Sequence, residues 1–273
     1  MPELPEVETI RSSLEPLVVG RTVTTVEVRR GDLRRPLASD FASSLEGRSI
    51  RRARRRAKYL LLDLDDGMSW MLHMGMSGRF LHTPAGAGRA PKKHDHVLVH
   101  LSDGSRLVFN DPRRFGLMAV EDAASSNLLE GIGPEPLDER AFNGAYLAGL
   151  RARTTRVLKD LLMDQRVVAG VGNIYANESL FLAGLRPRRR IARTSATQCQ
   201  TLAVAVRTVL GEAIEHRGSS ISDFLDGVGR RGGYQWRRRV YDRKGEPCPV
   251  CAAAIKSVVV AQRASYYCPR CQR

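Results

Sequence analysis

Val7, Ile10 and Leu14 recur at helical spacing just after Pro5, a residue that opens a helix well because its missing N–H would be unpaired there anyway. Glu6 and Glu8 complement the dipole of the first turn, so the pattern predicts a helix with one buried stripe near the start of the chain. From about residue 20 the period shortens. Residues 23–28, 59–64, 69–74, 97–101 and 106–109 read as strands, and Asp65-Asp66-Gly67 and Ser102-Asp103-Gly104 carry hairpin turn chemistry. The first 125 or so residues therefore read as β-rich with one N-terminal helix, and 84–91 as a mobile Gly/Pro/Ala loop.

Gly131-Ile132-Gly133-Pro134-Glu135-Pro136 breaks all periodicity and introduces a helical region, with helices expected over 141–150, 157–163, 174–183 and 196–216. A glycine-rich stretch, 218–233, leads into Tyr234 and the basic run Arg237-Arg238-Arg239. The chain then closes with a cysteine module, and no repeat or low-complexity tract is present.

Charge adds a partner to this outline. In 273 residues, 44 Lys plus Arg against 29 Asp plus Glu leave a net +15, with arginines clustered at 51, 52, 54, 55 and 56. Such a balance points to a polyanion, against the plainer reading of a solvated arginine-rich surface. Nucleic acid fits better than a membrane, because the sequence holds no basic amphipathic helix with a bulky apolar face and no apolar run near the roughly 18 residues of a span. The acidic start Met1-Pro2-Glu3-Leu4-Pro5-Glu6 is not a secretory signal, and four of five cysteines fall in the last 26 residues, so a reducing interior is expected.

Cys248-Pro249-Val250-Cys251 and Cys268-Pro269-Arg270-Cys271 are two C-x-x-C pairs with 16 residues between them. Four thiolates at this spacing close a tetrahedral zinc site at two turns joined by a hairpin; a pair of disulfides is the alternative, disfavoured inside a cell. With four protein ligands the zinc, one per chain, is structural, and it stabilises a hairpin too short to fold alone. Cys199 has no partner in sequence and reads as a helix-packing thiol. Asn173, after Gly170-Val171-Gly172, reads as the N-cap of the next helix, as a holder of a DNA phosphate together with the glycine amides, or as both.

Met1-Pro2-Glu3-Leu4-Pro5-Glu6-Val7-Glu8-Thr9, Arg55-Arg56-Ala57-Lys58-Tyr59-Leu60-Leu61, His73-Met74-Gly75-Met76-Ser77-Gly78, Asp111-Pro112-Arg113-Arg114-Phe115-Gly116, residues 170–178 and the terminal cysteine module together resemble bacterial formamidopyrimidine-DNA glycosylase, in order along the whole chain. The resemblance implies an α+β multidomain fold. An N-terminal catalytic β-sandwich domain with an N-terminal helix would span 1–130, a linker 131–137, a helix-two-turn-helix DNA-binding domain with a lesion-recognition loop 138–236, and a zinc-finger hairpin 237–273.

It implies a bifunctional DNA glycosylase/AP lyase of base excision repair that acts as a monomer on double-stranded DNA in the bacterial cytoplasm, at the nucleoid. Removal of Met1 would free the Pro2 nitrogen, which attacks the sugar, expels the damaged base and forms a Schiff base that drives β- and δ-elimination. An α-amino group, with a pKa of about 8, is neutral often enough at pH 7 to act as such a nucleophile. By the same resemblance Glu3 is the general acid/base, Glu6 positions the reacting groups, and Lys58 lies near the lesion and its phosphates. Met76, Arg113 and Phe115 fill the void left by the flipped nucleotide. His94, Arg156, Asn173 and Arg263 are further DNA contacts, Arg263 as a phosphate clamp on the zinc hairpin, and 218–234 covers the flipped purine. By pattern alone Glu3 and Glu6 read as helix-start carboxylates, Lys58 as solvated, and Met76 and Phe115 as core.

The chain departs from the family at Asp242, where many members carry glycine and where Asp tolerates a left-handed backbone better than most residues. The run 235–239 is more basic than usual, and Met74 replaces a commoner leucine, a near volume-conserving swap. Leu4 after Glu3 separates the chain from the endonuclease VIII type, which begins Pro-Glu-Gly and favours oxidised pyrimidines, so oxidised purines, 8-oxoguanine and formamidopyrimidines, are the expected lesions. The rival reading, a damage-binding protein without chemistry, has no need of Pro2, Glu3 or Glu6. No organic cofactor is suggested.

Overall fold

The computed structural model describes residues 1–88, 90–221 and 224–273. Arg89, in the loop expected to be mobile, and Ser222 and Asp223, in the glycine-rich stretch, lie outside the described residues. The chain divides into two compact units, Met1–Glu130 with His216–Gly233, and Gly131–Glu215 with Tyr234–Arg273. Residues 216–233, grouped with the helical domain in the sequence reading, thus group with the first unit. Among the described residues no helix is long and apolar enough to cross a membrane.

In the first unit the expected helix, α1 (Leu4–Val18), opens at Glu3 with a capping box, in which the Glu3 side chain meets the Glu6 backbone and the Glu6 side chain meets the Glu3 backbone. Its buried stripe runs Val7, Ile10, Leu14 and Val18. Among the described residues eight strands follow: β1 (Val23–Val28), β2 (Ile50–Arg56), β3 (Tyr59–Leu64), β4 (Ser69–His73), β5 (Arg79–Thr83), β6 (Asp95–Leu101), β7 (Arg106–Asn110) and β8 (Leu117–Glu121). They form two four-stranded antiparallel sheets, ordered β1-β6-β7-β5 and β2-β3-β4-β8. One core unites both sheets with the α1 stripe through Trp70, Phe80, Phe109, Leu60, Leu62 and Val99. The two aspartate-glycine turns join β3 to β4 and β6 to β7, with Gly67 and Gly104 at φ +85° and +79°.

The second unit holds α2 (Gly144–Gly149), α3 (Leu158–Met163), α4 (Asn173–Leu182), α5 (Ala196–Glu215) and a hairpin of β9 (Lys256–Val260) and β10 (Arg263–Tyr267). Cys199 is buried in α5, as a packing thiol should be. Glu178 on α4 is fully buried and accepts from the Arg239, Val240 and Tyr241 N–H groups at 2.8, 2.9 and 2.8 Å. This carboxylate fastens the chain entering the cysteine module to α4. Asp242, the residue that replaces glycine, sits at φ +60°, so the left-handed turn survives the substitution.

Candidate active site

Three charged side chains are almost wholly buried near the chain start: Glu3, Glu6 and Lys58 are 4, 2 and 6 % exposed. Burying charge is costly unless each group is met by a partner, so such a cluster marks a built site. The Glu6 carboxylate accepts from the Glu3 N–H at 2.9 Å and from the Ser219 N–H at 2.7 Å. It therefore ties the first turn of α1 to the 216–233 segment. Gly218 at φ +71° leaves it room, since a Cβ there would come within 2.8 Å of the Glu6 Oε1. Farther along the segment, buried Asp226 gathers Arg217, Arg230 and the Val228 and Arg230 N–H groups.

Lys58 closes the two-residue turn Ala57-Lys58 between β2 and β3, where Ala57 takes φ +52°. The strand expected to leave this lysine solvated instead turns it inward. The α-amino group at the chain start is held below its ordinary 8.0 by burial, with Lys58 and Arg113 acting in the same direction and Glu3 and Glu6 opposing. That balance places the amino group among the same four side chains.

His73 belongs to this cluster and was given no role in the sequence, where it ends a strand and opens one of the motifs that carry the resemblance. Its Nδ1 accepts from the Gly75 N–H at 3.1 Å, which leaves Nε2 as the nitrogen that carries the proton. Its ring packs on Tyr59 with centroids 4.9 Å apart. Burial lowers its pKa to about 4, helped by Lys58 and Arg34, so the ring is neutral at physiological pH. An unfolded histidine titrates near 6.5. Between pH 6.5 and 4 the unfolded chain therefore takes up a proton that the folded chain refuses, and stability falls with acidity by at most about 1.4 kcal/mol per pH unit. Urea unfolding from pH 7 to 4 should show His73→Gln losing less stability over this window than the parent; equal slopes would place the titration elsewhere.

Met76 and Phe115 are exposed by 46 and 42 %, which corrects their reading as core residues. The loops that carry them lie back to back: Gly75 at φ +59° approaches the Phe115 backbone so closely that a Cβ would stand 2.3 Å from its carbonyl oxygen. The Arg113 guanidinium lies 4.7 Å from the Phe115 ring centroid. Asp111, fully buried, holds both loops by accepting from the Ser77 hydroxyl at 2.6 Å and from the Arg113 and Gly116 N–H groups at 3.3 and 2.8 Å. Its own backbone bonds to the His94 carbonyl and the His96 ring, so half-buried His94 borders the same platform. Asp111→Ala strands these donors and should cost about 2–4 kcal/mol in urea unfolding. It should also impair lesion excision more than binding of undamaged duplex; an unchanged midpoint and rate would remove Asp111 from this role.

In the second unit Asn173 is the first residue of α4, and Gly172 is the N-cap, which corrects the capping role expected of Asn173. The glycine amides precede the helix, leaving the Asn173 side chain for other partners. Its Oδ1 accepts from fully buried Lys159 Nζ at 2.6 Å, its Nδ2 donates to the Ala264 carbonyl at 3.2 Å, and Lys159 also reaches the Ser265 hydroxyl at 3.0 Å. Asn177 accepts from the Tyr266 N–H at 2.7 Å. Asn173 is thereby locked to the strand that Arg263 begins. Arg263 is exposed, directly after the tight turn of Ala261 and Gln262 at φ +48° and +59°. Arg156 is spanned by Asp160 at 2.6 Å and Asp164 at 2.8 Å, which raise its pKa and orient its guanidinium.

The Sγ atoms of Cys248, Cys251, Cys268 and Cys271 all lie within 4.8 Å of one another, with pairs at 3.8 and 3.4 Å. A tetrahedral zinc with Zn–S bonds of about 2.3 Å needs sulfurs about 3.8 Å apart, so the four thiolates fit one structural zinc. Phe181, Val240 and Ile255 pack around Cys248 and Cys268, and the Cys268 N–H is bound by Gln272 Oε1 at 2.8 Å.

Residues 1–118 match the family model of the formamidopyrimidine-DNA glycosylase N-terminal domain, 132–225 that of its H2TH domain, and 245–273 the zinc finger found in FPG and IleRS. Proteins named formamidopyrimidine-DNA glycosylase from Beijerinckia indica and Methylococcus capsulatus are 48 and 46 % identical, each aligned over 100 % of both chains. The crystal structure of the MutM (FPG) protein of Thermus thermophilus superposes with a TM-score of 0.87 at 40 % identity, covering 99 % of this chain and 98 % of that one. The Lactococcus lactis Fpg bound to abasic-site DNA gives 0.89 at 32 %, covering 99 % of each. With these matches running from the buried glutamates at its start to the four cysteines at its end, the chain belongs to the formamidopyrimidine-DNA glycosylase family.

Proposed function

We propose that this chain is a bifunctional glycosylase/AP lyase of base excision repair that removes oxidised purines, 8-oxoguanine and formamidopyrimidines, from duplex DNA and then cuts the strand. Its relatives from Lactococcus lactis were solved on DNA carrying Fapy-dG and on DNA carrying an abasic site. The observation that carries the reading for this chain is the cluster of buried Glu3, Glu6 and Lys58 around the chain start. A protein that only bound damage would gain nothing from the cost of burying those charges there.

In this reading Met1 is removed and the Pro2 nitrogen lone pair attacks the anomeric carbon. The glycosidic bond breaks and the base leaves protonated, with Glu3 moving protons between the opening sugar and the departing groups. In the intact chain the same surroundings hold the Met1 amine below its ordinary pKa, by burial and by Lys58 and Arg113 against Glu3 and Glu6, and an environment of that kind would favour a neutral, nucleophilic amine at Pro2. The resulting iminium acidifies the neighbouring sugar carbon; loss of that proton expels the 3′ phosphate, and a second elimination expels the 5′ phosphate. Water then releases the sugar fragment, leaving a one-nucleoside gap. Glu6 holds the first turn and the 216–233 segment in register, while Met76, Arg113 and Phe115 fill the vacated stack. His94, Arg156, Asn173 and Arg263 grip the duplex backbone, and the enzyme works as a single chain at the bacterial nucleoid.

The test is incision of a duplex with a single 8-oxoguanine opposite cytosine, beside one with an abasic site. Nicks bearing phosphate at both ends on both substrates support the reading. Binding of the lesion duplex without incision of either would leave only a damage-recognition protein.

A further inference from the structure

Six arginines, Arg186, Arg188, Arg189, Arg190, Arg193 and Arg273, line a cavity of about 390 Å³ in the second unit, and no Asp or Glu among the described residues lines it. Elsewhere in that unit guanidinium groups meet carboxylates: Arg156 meets Asp160 and Asp164, Arg207 meets Glu139, and Arg239 meets Glu212. Around the cavity the acceptors met by the arginine side chains are neutral, while the backbone carboxylate of Arg273, the last residue, accepts from the Arg186 N–H at 3.2 Å. Arg186 donates to the Gln272 and Pro269 carbonyls at 2.9 and 3.1 Å, and Arg188 to the Val259 carbonyl at 3.4 Å. Arg189 donates to the Arg193 carbonyl at 2.8 Å and to Gln198 Oε1 at 3.0 Å. Carbonyl and amide oxygens fix a guanidinium in place without cancelling its charge.

One guanidinium donor of the group is also left unmet. The Nε of Arg189 is shut off from solvent and has no acceptor among the described residues. A buried donor left unmet is uncommon in folded proteins and calls for a ligand or water. The backbone has no freedom to disperse the arginines, because the Arg189 N–H turns back to the Arg186 carbonyl, the Leu158 N–H holds the Arg189 carbonyl, and the Ile191 N–H holds that of Arg156. Like charges are thus gathered on a rigid turn. Planar forks of this kind suit phosphate oxygens, two at a time.

We propose that this cavity is a second phosphate-binding site, which takes backbone phosphates of duplex DNA in addition to those met by Asn173 and Arg263. The choice of DNA as the polyanion rests on the repair function proposed above. A run of diesters, each with two free oxygens, satisfies several guanidinium groups at once, as a single small anion would not.

The experiment compares the parent with the triple variant R188A/R190A/R193A, whose side chains are exposed and whose removal leaves Arg186 bound to the cysteine module and Arg189 to its turn. Zinc content and unfolding midpoint should match the parent. Binding of an undamaged duplex across a salt series should weaken about tenfold or more at low salt. Its log–log salt slope should become shallower by about one to two, the release expected for one or two phosphates. The excision rate inside the pre-formed lesion complex should stay at the parent value. An unchanged slope in a parent that incises lesions would overturn the second site alone. The same conclusion follows if inorganic phosphate binds in a titration calorimeter and the triple variant abolishes that binding while the DNA slope stays the same, for then the occupant is a small anion. A parent that neither binds DNA nor incises it would overturn both this inference and the function on which it rests.

Discussion

Pro2→Gly is expected to retain duplex binding and lose most strand cutting, by about a hundredfold or more in single-turnover incision. Glycine at the start still offers an amine, but a primary one, whose adduct is a neutral imine that needs a further proton before it withdraws electrons from the sugar. The proline adduct is a permanently charged iminium. Glu3→Gln separates the two halves of the reaction further. The glutamine amide oxygen can still accept from the Glu6 N–H, and the backbone N–H of residue 3 still donates to Glu6, so α1 should start as before. Loss of a positioned acid/base should slow base excision about 10²- to 10⁴-fold, while cutting at a pre-formed abasic site, which needs no base to leave, should suffer far less. Unchanged incision by Pro2→Gly would remove Pro2 from the chemistry, and equal losses on both substrates would remove Glu3 from its acid/base role.

Cys268→Ser should have the largest structural effect. Cys268 is fully buried in the small core of the module, and its thiolate is one of four that share the zinc. Structural zinc sites of this kind contribute apparent binding energies of about 10–16 kcal/mol in isolated fingers, most of which is folding energy. The variant should purify without zinc, lose amide protection across β9 and β10, and bind DNA at least about a hundredfold more weakly, because Arg263 and the partners of Asn173 and Asn177 sit on that hairpin. The first unit has its own core and should keep its protection. A zinc-free variant with a protected hairpin and parental affinity would show that the metal is dispensable to the fold.

Much of this arrangement was legible in the chain because it is written locally. The α1 stripe repeats at helical spacing, the two aspartate-glycine turns require the positive φ that Gly67 and Gly104 adopt, and the two C-x-x-C pairs need no distant partner to suggest a metal. Strands β2, β5 and β8 escaped. β2 buries only Ile50 and Ala53 and presents arginines along the rest, and β5 buries only Phe80, so neither shows clean alternation. Strand β8 is five residues long and buries only Leu117 and Met118.

What was not legible depends on long-range partners. Nothing near Glu6 announces the Ser219 N–H, 213 positions away, and nothing near Asp111 announces the Ser77 hydroxyl. Lys159 looks like a surface lysine until α4 and β10 enclose it. For the same reason the 216–233 segment, helical-domain material by its place in the chain, groups with the first unit once Glu6, Ser13 and His82 have claimed its backbone. Met76 and Phe115 show the converse error, since apolar residues held out by a buried aspartate look like core until the loop is seen.

Borohydride trapping tests the central claim most directly. The purified protein is incubated with a duplex carrying one 8-oxoguanine opposite cytosine, the Schiff base is reduced in place, and the cross-linked peptide is located by mass mapping. The account predicts a covalent adduct at Pro2 as the first residue of a chain that has lost Met1. An adduct mapped to Lys58 or another lysine, or none from a chain that starts at Pro2 and binds the duplex, would contradict it.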